Sequence, residues 1–251
     1  MFRQKAGAFD TLPAFCIGCT MNKRLKLITK HITGAVGVID VGTDHGYLPI
    51  ALAECGYKGN IIASDINSDP LNKAIYNATQ AGLYGKIQFR LSDGLSGCCP
   101  EEVDTIVIAG MGGDTICGIL DRAEWCMAEN YKLILQPMTK AEILRYWLIN
   151  NGFVIRSEER VKENGTIYQI IVTSFEDNST LTDAELFTGA AALRKDEYYA
   201  EELDIFIKRF VKAADGMKNI PRKHPQRKLY LSIISQLEKM RSEYEKTQRD
   251  I

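Results

Sequence analysis

At 251 residues, with 45% hydrophobic content and a formal net charge of −1, the chain can build one large or two smaller packed domains. Its near-neutral total gives no whole-chain bias toward a polyanion. No apolar run reaches the roughly 18–20 residues of a membrane span, and Ala6 to Thr20 mixes too many polar residues for a signal peptide. Seven scattered cysteines (Cys16, Cys19, Cys55, Cys98, Cys99, Cys117, Cys126) are odd in number and too sparse for a secreted disulfide framework. Cys16-x-x-Cys19 offers half a zinc site or a redox pair, but His31, His45 and His224 do not complete one. No metal, reduced and mostly buried thiols, and a cytoplasmic location are therefore expected.

The first twenty residues have no clear period and form an N-terminal extension, 1–20. An amphipathic helix follows from Met21, with Leu25, Ile28 and Ile32 on one face and Lys23, Arg24, Lys26 and Lys30 around the other. Strands and helices then alternate. Val36 to Val41, Asn60 to Ser64, Ile87 to Leu91, Thr105 to Ala109 and Lys132 to Leu135 read as strands. Pro49 to Cys55, Asp69 to Ala81, Asp114 to Leu120 and Lys140 to Asn151 read as helices. Two further strands, Phe153 to Val161 and Thr166 to Ser174, are joined at Asn164-Gly165, a favoured hairpin turn.

Such alternation implies a parallel sheet covered on both faces. The closing hairpin places an antiparallel strand at one edge, the pattern of class I methyltransferases rather than of six-stranded parallel dehydrogenases. The fold class is therefore α/β, a Rossmann-like sheet over 21–175. Beyond it, 176–251 opens on a polar linker, Glu176 to Thr182, and continues as helix. Leu203, Ile207, Phe210, Ala214 and Met217, then Ile233, Leu237, Met240 and Tyr244, recur at heptad-like spacing around a break at Asn219 to His224. That predicts a C-terminal antiparallel helical hairpin, its stripes serving as core.

Charge in this tail is segregated. Residues 176–204 carry nine acids against Arg194 and Lys195, whereas 205–230 carry eight bases against Asp215 alone. Lys208, Arg209, Lys212, Lys218, Arg222, Lys223, Arg227 and Lys228 surround the hairpin tip. An ordinary solvated helix face mixes charges, so this excess is the footprint expected of phosphate contacts.

The most specific stretch is Val38 to Pro49, a strand–glycine turn–helix unit that places backbone N–H groups around a bound cofactor. A dinucleotide site needs glycine at the middle position of G-x-G-x-x-G, where this chain has Asp44, a carboxylate that would repel a pyrophosphate. A cationic cofactor without phosphates fits, and S-adenosylmethionine is the candidate. Polar residues recur at the strand ends, where open α/β sheets bind ligands. Asp40, Gly42 and Gly46 belong to the first turn. Asp65 is placed for ribose hydroxyls, with Ile66 to cover an adenine face, and Asp93-Gly94 for the adenine amino group. Ala109, Gly110 and Met111 follow the fourth strand, and Gly112 and Gly113 leave room for a substrate base. Taken singly, each acid reads equally as a helix cap or turn residue; four strand ends in order make the pattern.

Val38 to Pro49, Ser92-Asp-Gly-Leu95, Ile108-Ala-Gly-Met-Gly-Gly113 and Leu133-Ile-Leu-Gln-Pro137 together resemble the bacterial tRNA adenine-N1 methyltransferases that modify adenosine 22. The resemblance runs from about Met21 through the helical hairpin. It departs at Ser64-Asp65-Ile66, where the family has Gly-Glu-Ile or similar, and at Met138, where asparagine is frequent. It implies S-adenosylmethionine as cofactor and tRNA as partner. Adenine N1 carries an in-plane lone pair, so its methylation needs positioning and a nearby anion rather than a strong base. Asp44 fits that anion; His45 reads as its assistant or as turn packing. The chain lacks the Asn/Asp-Pro-Pro-Tyr/Phe signature of exocyclic-amine methylation. A small-molecule methyltransferase and a non-enzymatic nucleotide-binding module are the competing classes; the basic tip argues against the first, Asp44 against the second.

Overall fold

The computed structural model describes residues 21–176, 180–190, 193 and 196–249. The N-terminal extension with Cys16 and Cys19, and the charges at 177, 194 and 195, lie outside the described residues. Eight helices and seven strands follow in chain order: α1 (Lys23–His31), β1 (Gly37–Val41), α2 (Tyr47–Glu54), β2 (Asn60–Asp65), α3 (Ser68–Gln80), β3 (Gln88–Leu91), β4 (Thr105–Gly112), α4 (Gly113–Asp121), β5 (Lys132–Thr139), α5 (Ala141–Asn150), β6 (Phe153–Glu163), β7 (Thr166–Phe175), α6 (Asp183–Thr188), α7 (Tyr199–Gly216) and α8 (Pro225–Arg249).

The strands form one sheet in the order β3-β2-β1-β4-β5-β7-β6. Pairing is parallel from β3 through β5, and β7 runs antiparallel to both its neighbours. Its antiparallel strand is thus second from the edge, and β6 is outermost. Composition fits the exchange: β7 puts Ile170, Ile171 and Val172 into the core beside β5, whereas β6 carries Arg156-Ser-Glu-Glu-Arg160, whose buried Glu158 and Arg160 take partners from helices outside the sheet. Asn164 and Gly165 both take positive φ, as the expected two-residue turn requires.

Helices cover both faces. Leu27, Ile28 and Ile32 after and within α1 pack with Leu48 and Leu52 of α2 and Ala78 of α3 on one side. Ile116 and Leu120 of α4 pack with Leu144 and Leu148 of α5 on the other. The Asn22 side chain caps α1 by accepting from the Leu25 N–H at 2.8 Å. Cys98, Cys117 and Cys126 are buried free thiols, and Cys99 is an exposed one. Cys55 departs from the expectation of reduced thiols, being disulfide-bonded.

α7 and α8 form the expected hairpin around Leu203, Phe210, Ile233, Leu237 and Met240. α6, read only as part of a helical tail, is a separate short helix with a Thr182–Glu185 capping box, and its Ala184 joins the hairpin core. Buried charge ties this unit to the sheet. Arg145 on α5 pairs with Glu158 (2.6 Å), donates to Gln169 (2.7 Å) and reaches the Leu186 carbonyl (2.8 Å). Arg160 on β6 pairs with Asp196 (2.9 Å) and with Glu202 of α7.

Candidate active site

The C-terminal ends of β1, β2, β3 and β4 converge on a cleft of about 630 Å³. Among its lining residues are Gly42, Asp44, Asp65, Ile66, Asp93, Gly94, Ala109, Gly110 and Met111, all expected from sequence, and also Asn67, Asp114 and Arg122.

The β1 turn is built by backbone hydrogen bonds. Gly42 and Thr43 both donate to the Ser64 carbonyl, at 2.8 and 3.0 Å, and the Gly46 N–H donates to Thr43 O at 2.9 Å. Asp44 sits at the crest with φ +49°, a left-handed conformation uncommon for a residue with a side chain. Its N–H points to the Asp65 carboxylate at 3.4 Å, while its own carboxylate is exposed 3.7 Å from His45 Nε2. The His45 ring stacks with Tyr47 at 5.4 Å between centroids. Tyr47, which sequence reasoning did not single out, therefore extends an exposed aromatic surface beside Asp44.

Asp40 and Gly46 lie behind the lining. Asp40 is buried, and its carboxylate accepts from Thr43 Oγ1 at 2.8 Å. Burial pushes its pKa up to about 6, the Asp65 charge adds to the rise, and the Thr43 hydrogen bond opposes it. Asp65 is also buried, and its second oxygen takes the Asn67 N–H at 2.9 Å. Asp93 is paired with Arg122 at 3.0 Å across the cleft, both side chains more than half exposed. Such a pair contributes little and opens readily.

Two expectations need correction. Gly113 is buried with the Lys140 carbonyl oxygen 2.2 Å from where its Cβ would lie, so it serves the packing of α4 against the end of β5 rather than approach of a base. Gly112 is the N-cap of α4 and also lies outside the cleft lining. At the hairpin, Lys208, Arg209, Lys212, Arg222, Lys223 and Lys228 are exposed. Arg227 instead turns inward and donates to the Lys218 and Ile220 carbonyls, holding the loop between α7 and α8. Neither contact has a signal in the local sequence. Gln136, in the Leu133–Pro137 motif, is fully buried, and its Oε1 accepts the Gly110 N–H at 3.2 Å, fixing the β4 turn.

Among the described residues no group of three or more His, Cys, Asp or Glu could hold a metal ion, and no helix is long and apolar enough to cross a membrane. The donor set suits S-adenosylmethionine: Asp44, Asp65, Asp93 and Asp114 line the cleft against Arg122, an excess of negative charge that repels a pyrophosphate.

Residues 21–171 match the methyltransferase domain family. The fold and length also match Sp1610 of Streptococcus pneumoniae, a candidate tRNA (m1A22) methyltransferase solved in complex with S-adenosyl-L-methionine. That protein is 31% identical, with a TM-score of 0.70 over 88% of this chain and 99% of that one. The chain belongs to the TrmK family of methyltransferases. The tRNA (adenine(22)-N(1))-methyltransferase of Bacillus subtilis is 28% identical over 201 residues, 80% of this chain and 84% of its relative. M. capricolum TrmK in complex with S-adenosyl-homocysteine is 28% identical, with a TM-score of 0.71 over 89% of this chain and 97% of that one.

Proposed function

We propose that this protein transfers a methyl group from S-adenosylmethionine to N1 of adenosine 22 in tRNA, in the cytoplasm. The observation that carries the reading is Asp44, an exposed carboxylate held at the crest of the cofactor turn, beside the Gly110 turn and outside the buried Asp40–Asp65 floor. The cofactor supplies an electrophilic methyl on a sulfonium.

Each part of the chain has a share. Asp65 takes the ribose hydroxyls, Ile66 covers the adenine, and Asp93, released from Arg122, meets the adenine amino group. Asp40 supplies negative charge under the cationic end of the cofactor. Adenine N1 attacks with its own lone pair, the carbon–sulfur bond breaks with its electrons going to sulfur, and the base becomes cationic. No proton has to leave N1. Asp44 stabilises that cation and accepts an amino proton if one is shed, in a site where a fixed anion needs no reorganisation. His45 and Tyr47 offer a stacking surface for the extruded base, whose unpairing takes a few kcal/mol. Residues 21–175 carry this chemistry. The described part of 176–251 grips tRNA through the phosphates met by Lys208, Arg209, Lys212, Arg222, Lys223 and Lys228, which supply affinity and little base specificity.

The test is methyl transfer from labelled S-adenosylmethionine to total tRNA, with the modified nucleoside identified by mass spectrometry. N1-methyladenosine is expected. Methylation at N6, or none in the presence of bound cofactor, overturns the reading.

A further inference from the structure

Arg24 differs from every other arginine between residues 21 and 176. Arg90, Arg122, Arg145, Arg156 and Arg160 each meet a carboxylate. The guanidinium of Arg24 meets none among the described residues: Glu163, the acid bonded to this residue, accepts from its backbone N–H at 2.7 Å. The Arg24 Nη1 donates to Gln136 Oε1 at 3.0 Å and to the weak acceptor Met138 Sδ at 3.1 Å. Its Cζ lies 5.2 Å from the centre of the Tyr168 ring. Nε is buried and has no hydrogen-bond partner. This is a half-buried cation, oriented by three neighbours and left without an anion.

Its place gives this guanidinium a meaning. Gln136 Oε1 is shared: it accepts from Arg24 and from the Gly110 N–H, so the guanidinium is one acceptor away from the cleft wall that faces Asp44. Around it α1 contributes Lys23, Lys26 and Lys30 and no acid. A planar fork of N–H donors matches the paired oxygens of a phosphate or a carboxylate. A nucleotide swung out of its stack brings its flanking phosphates to the lip of the pocket that receives its base.

We propose that Arg24 binds an RNA phosphate adjacent to the target adenosine and thereby sets the base against the cleft. The proposal rests on the tRNA reading above. It adds a second phosphate contact on α1, at the catalytic cleft, remote in sequence from the hairpin tip. The carboxylate of the cofactor's amino-acid end shares the same chemistry, and the experiment separates the two anions.

Full-length wild type, Arg24→Ala and Arg24→Lys are compared for tRNA kinetics at several salt concentrations, for S-adenosylmethionine affinity by calorimetry, and for Tm. Arg24→Ala is expected to lower kcat/KM for tRNA by about 10- to 100-fold and to flatten the logarithmic salt slope by about 0.7–0.9, the share of one phosphate. Cofactor affinity and Tm should hold. Arg24→Lys should keep the salt slope yet recover only part of kcat/KM, and free guanidinium ion should restore part of the rate to Arg24→Ala. Unchanged tRNA kinetics and slope in a folded Arg24→Ala overturn the proposal. So does weakened cofactor binding with unchanged KM for tRNA, which assigns Arg24 to the cofactor carboxylate. Equal losses in both affinities with a lowered Tm also overturn it, in favour of a structural role. Failure of the broader reading looks different: wild type then binds cofactor and methylates no tRNA.

Discussion

The cleft and the helical hairpin handle charge in opposite ways. In the cleft, Asp44, Asp65 and Asp93 come from the ends of β1, β2 and β3 into one volume, and behind them burial pushes Asp40 up to about 6. At the hairpin tip, Lys208, Arg209, Lys212, Arg222, Lys223 and Lys228 stand apart in solvent. At the hairpin base the arrangement differs again, with Arg160 shared between Glu202 and Asp196 largely out of water. A small cation is bound by concentrating acids at fixed positions, where preorganisation multiplies their effect. A polyanion is bound by spreading bases, where counterion release does the work and exact placement matters little. A joint between the two must carry no unpaired charge at all.

Breaking the joint should give the largest effect. Arg160→Met leaves Glu202 and Asp196 facing a partner that has gone, and loss of one member of a buried pair typically costs about 3–5 kcal/mol. Thermal melts should show a large drop in Tm that the double variant Arg160→Met/Glu202→Met partly reverses. By contrast, Lys212→Glu at the tip should move stability by less than about 0.5 kcal/mol. Equal shifts for the two would erase the distinction between joint and tip.

In the cleft, Asp44→Asn should reduce kcat by about 10²–10³ with tRNA affinity unchanged, since the lost charge acts on the cation that develops during transfer. Asp44→Gly removes the carboxylate and also relaxes the left-handed backbone at φ +49°, so it should be no slower than Asp44→Asn. Normal turnover in Asp44→Asn would end the anion argument.

At the tip, replacing Lys208, Lys212, Arg222 and Lys223 with Glu should raise KM for tRNA by roughly 10²-fold and flatten its salt dependence, leaving cofactor affinity intact. Arg227 stays in this variant because it holds the loop. Salt dependence unchanged by the four substitutions would move the tRNA surface elsewhere.

The smallest effect is a pH dependence. With its pKa raised by burial to about 6, Asp40 in the folded, cofactor-free protein holds its proton more tightly than in the unfolded chain. Its contribution to stability is therefore complete below about pH 4 and lost as pH rises through about 6. A bound cation favours the ionised form, so S-adenosylmethionine affinity should rise by about tenfold from pH 5 to 7 and then level off. Calorimetry in buffers of different ionisation enthalpy should detect proton release on binding near pH 6. No proton release would show that Asp40 stays protonated under the cofactor.

Much of the cleft was legible because its residues are strung along the chain in order, one acid or glycine turn per strand end, and each lies next to the strand that positions it. The hairpin stripes were legible for the same reason, since heptad spacing is local. Gly113 was misread because a glycine needed for close packing and one needed for ligand approach look alike until the Lys140 carbonyl is seen against it. Arg227 was misread because nothing near it in sequence tells which basic side chain will meet loop carbonyls.

By itself the sequence determined the succession of strands and helices, the sulfonium-compatible turn at Asp44 and the basic tip, all written in periodicity and short motifs whose physics acts over a few residues. The tertiary structure alone decided that β7 enters the sheet inside β6, that Arg145 and Arg160 are buried in a joint rather than solvated, and that Arg24 and Gly110 share Gln136 across separations of 112 and 26 residues. Those outcomes depend on which surfaces meet when the chain closes, and a guanidinium's partner is chosen by that meeting, not by its neighbours in sequence.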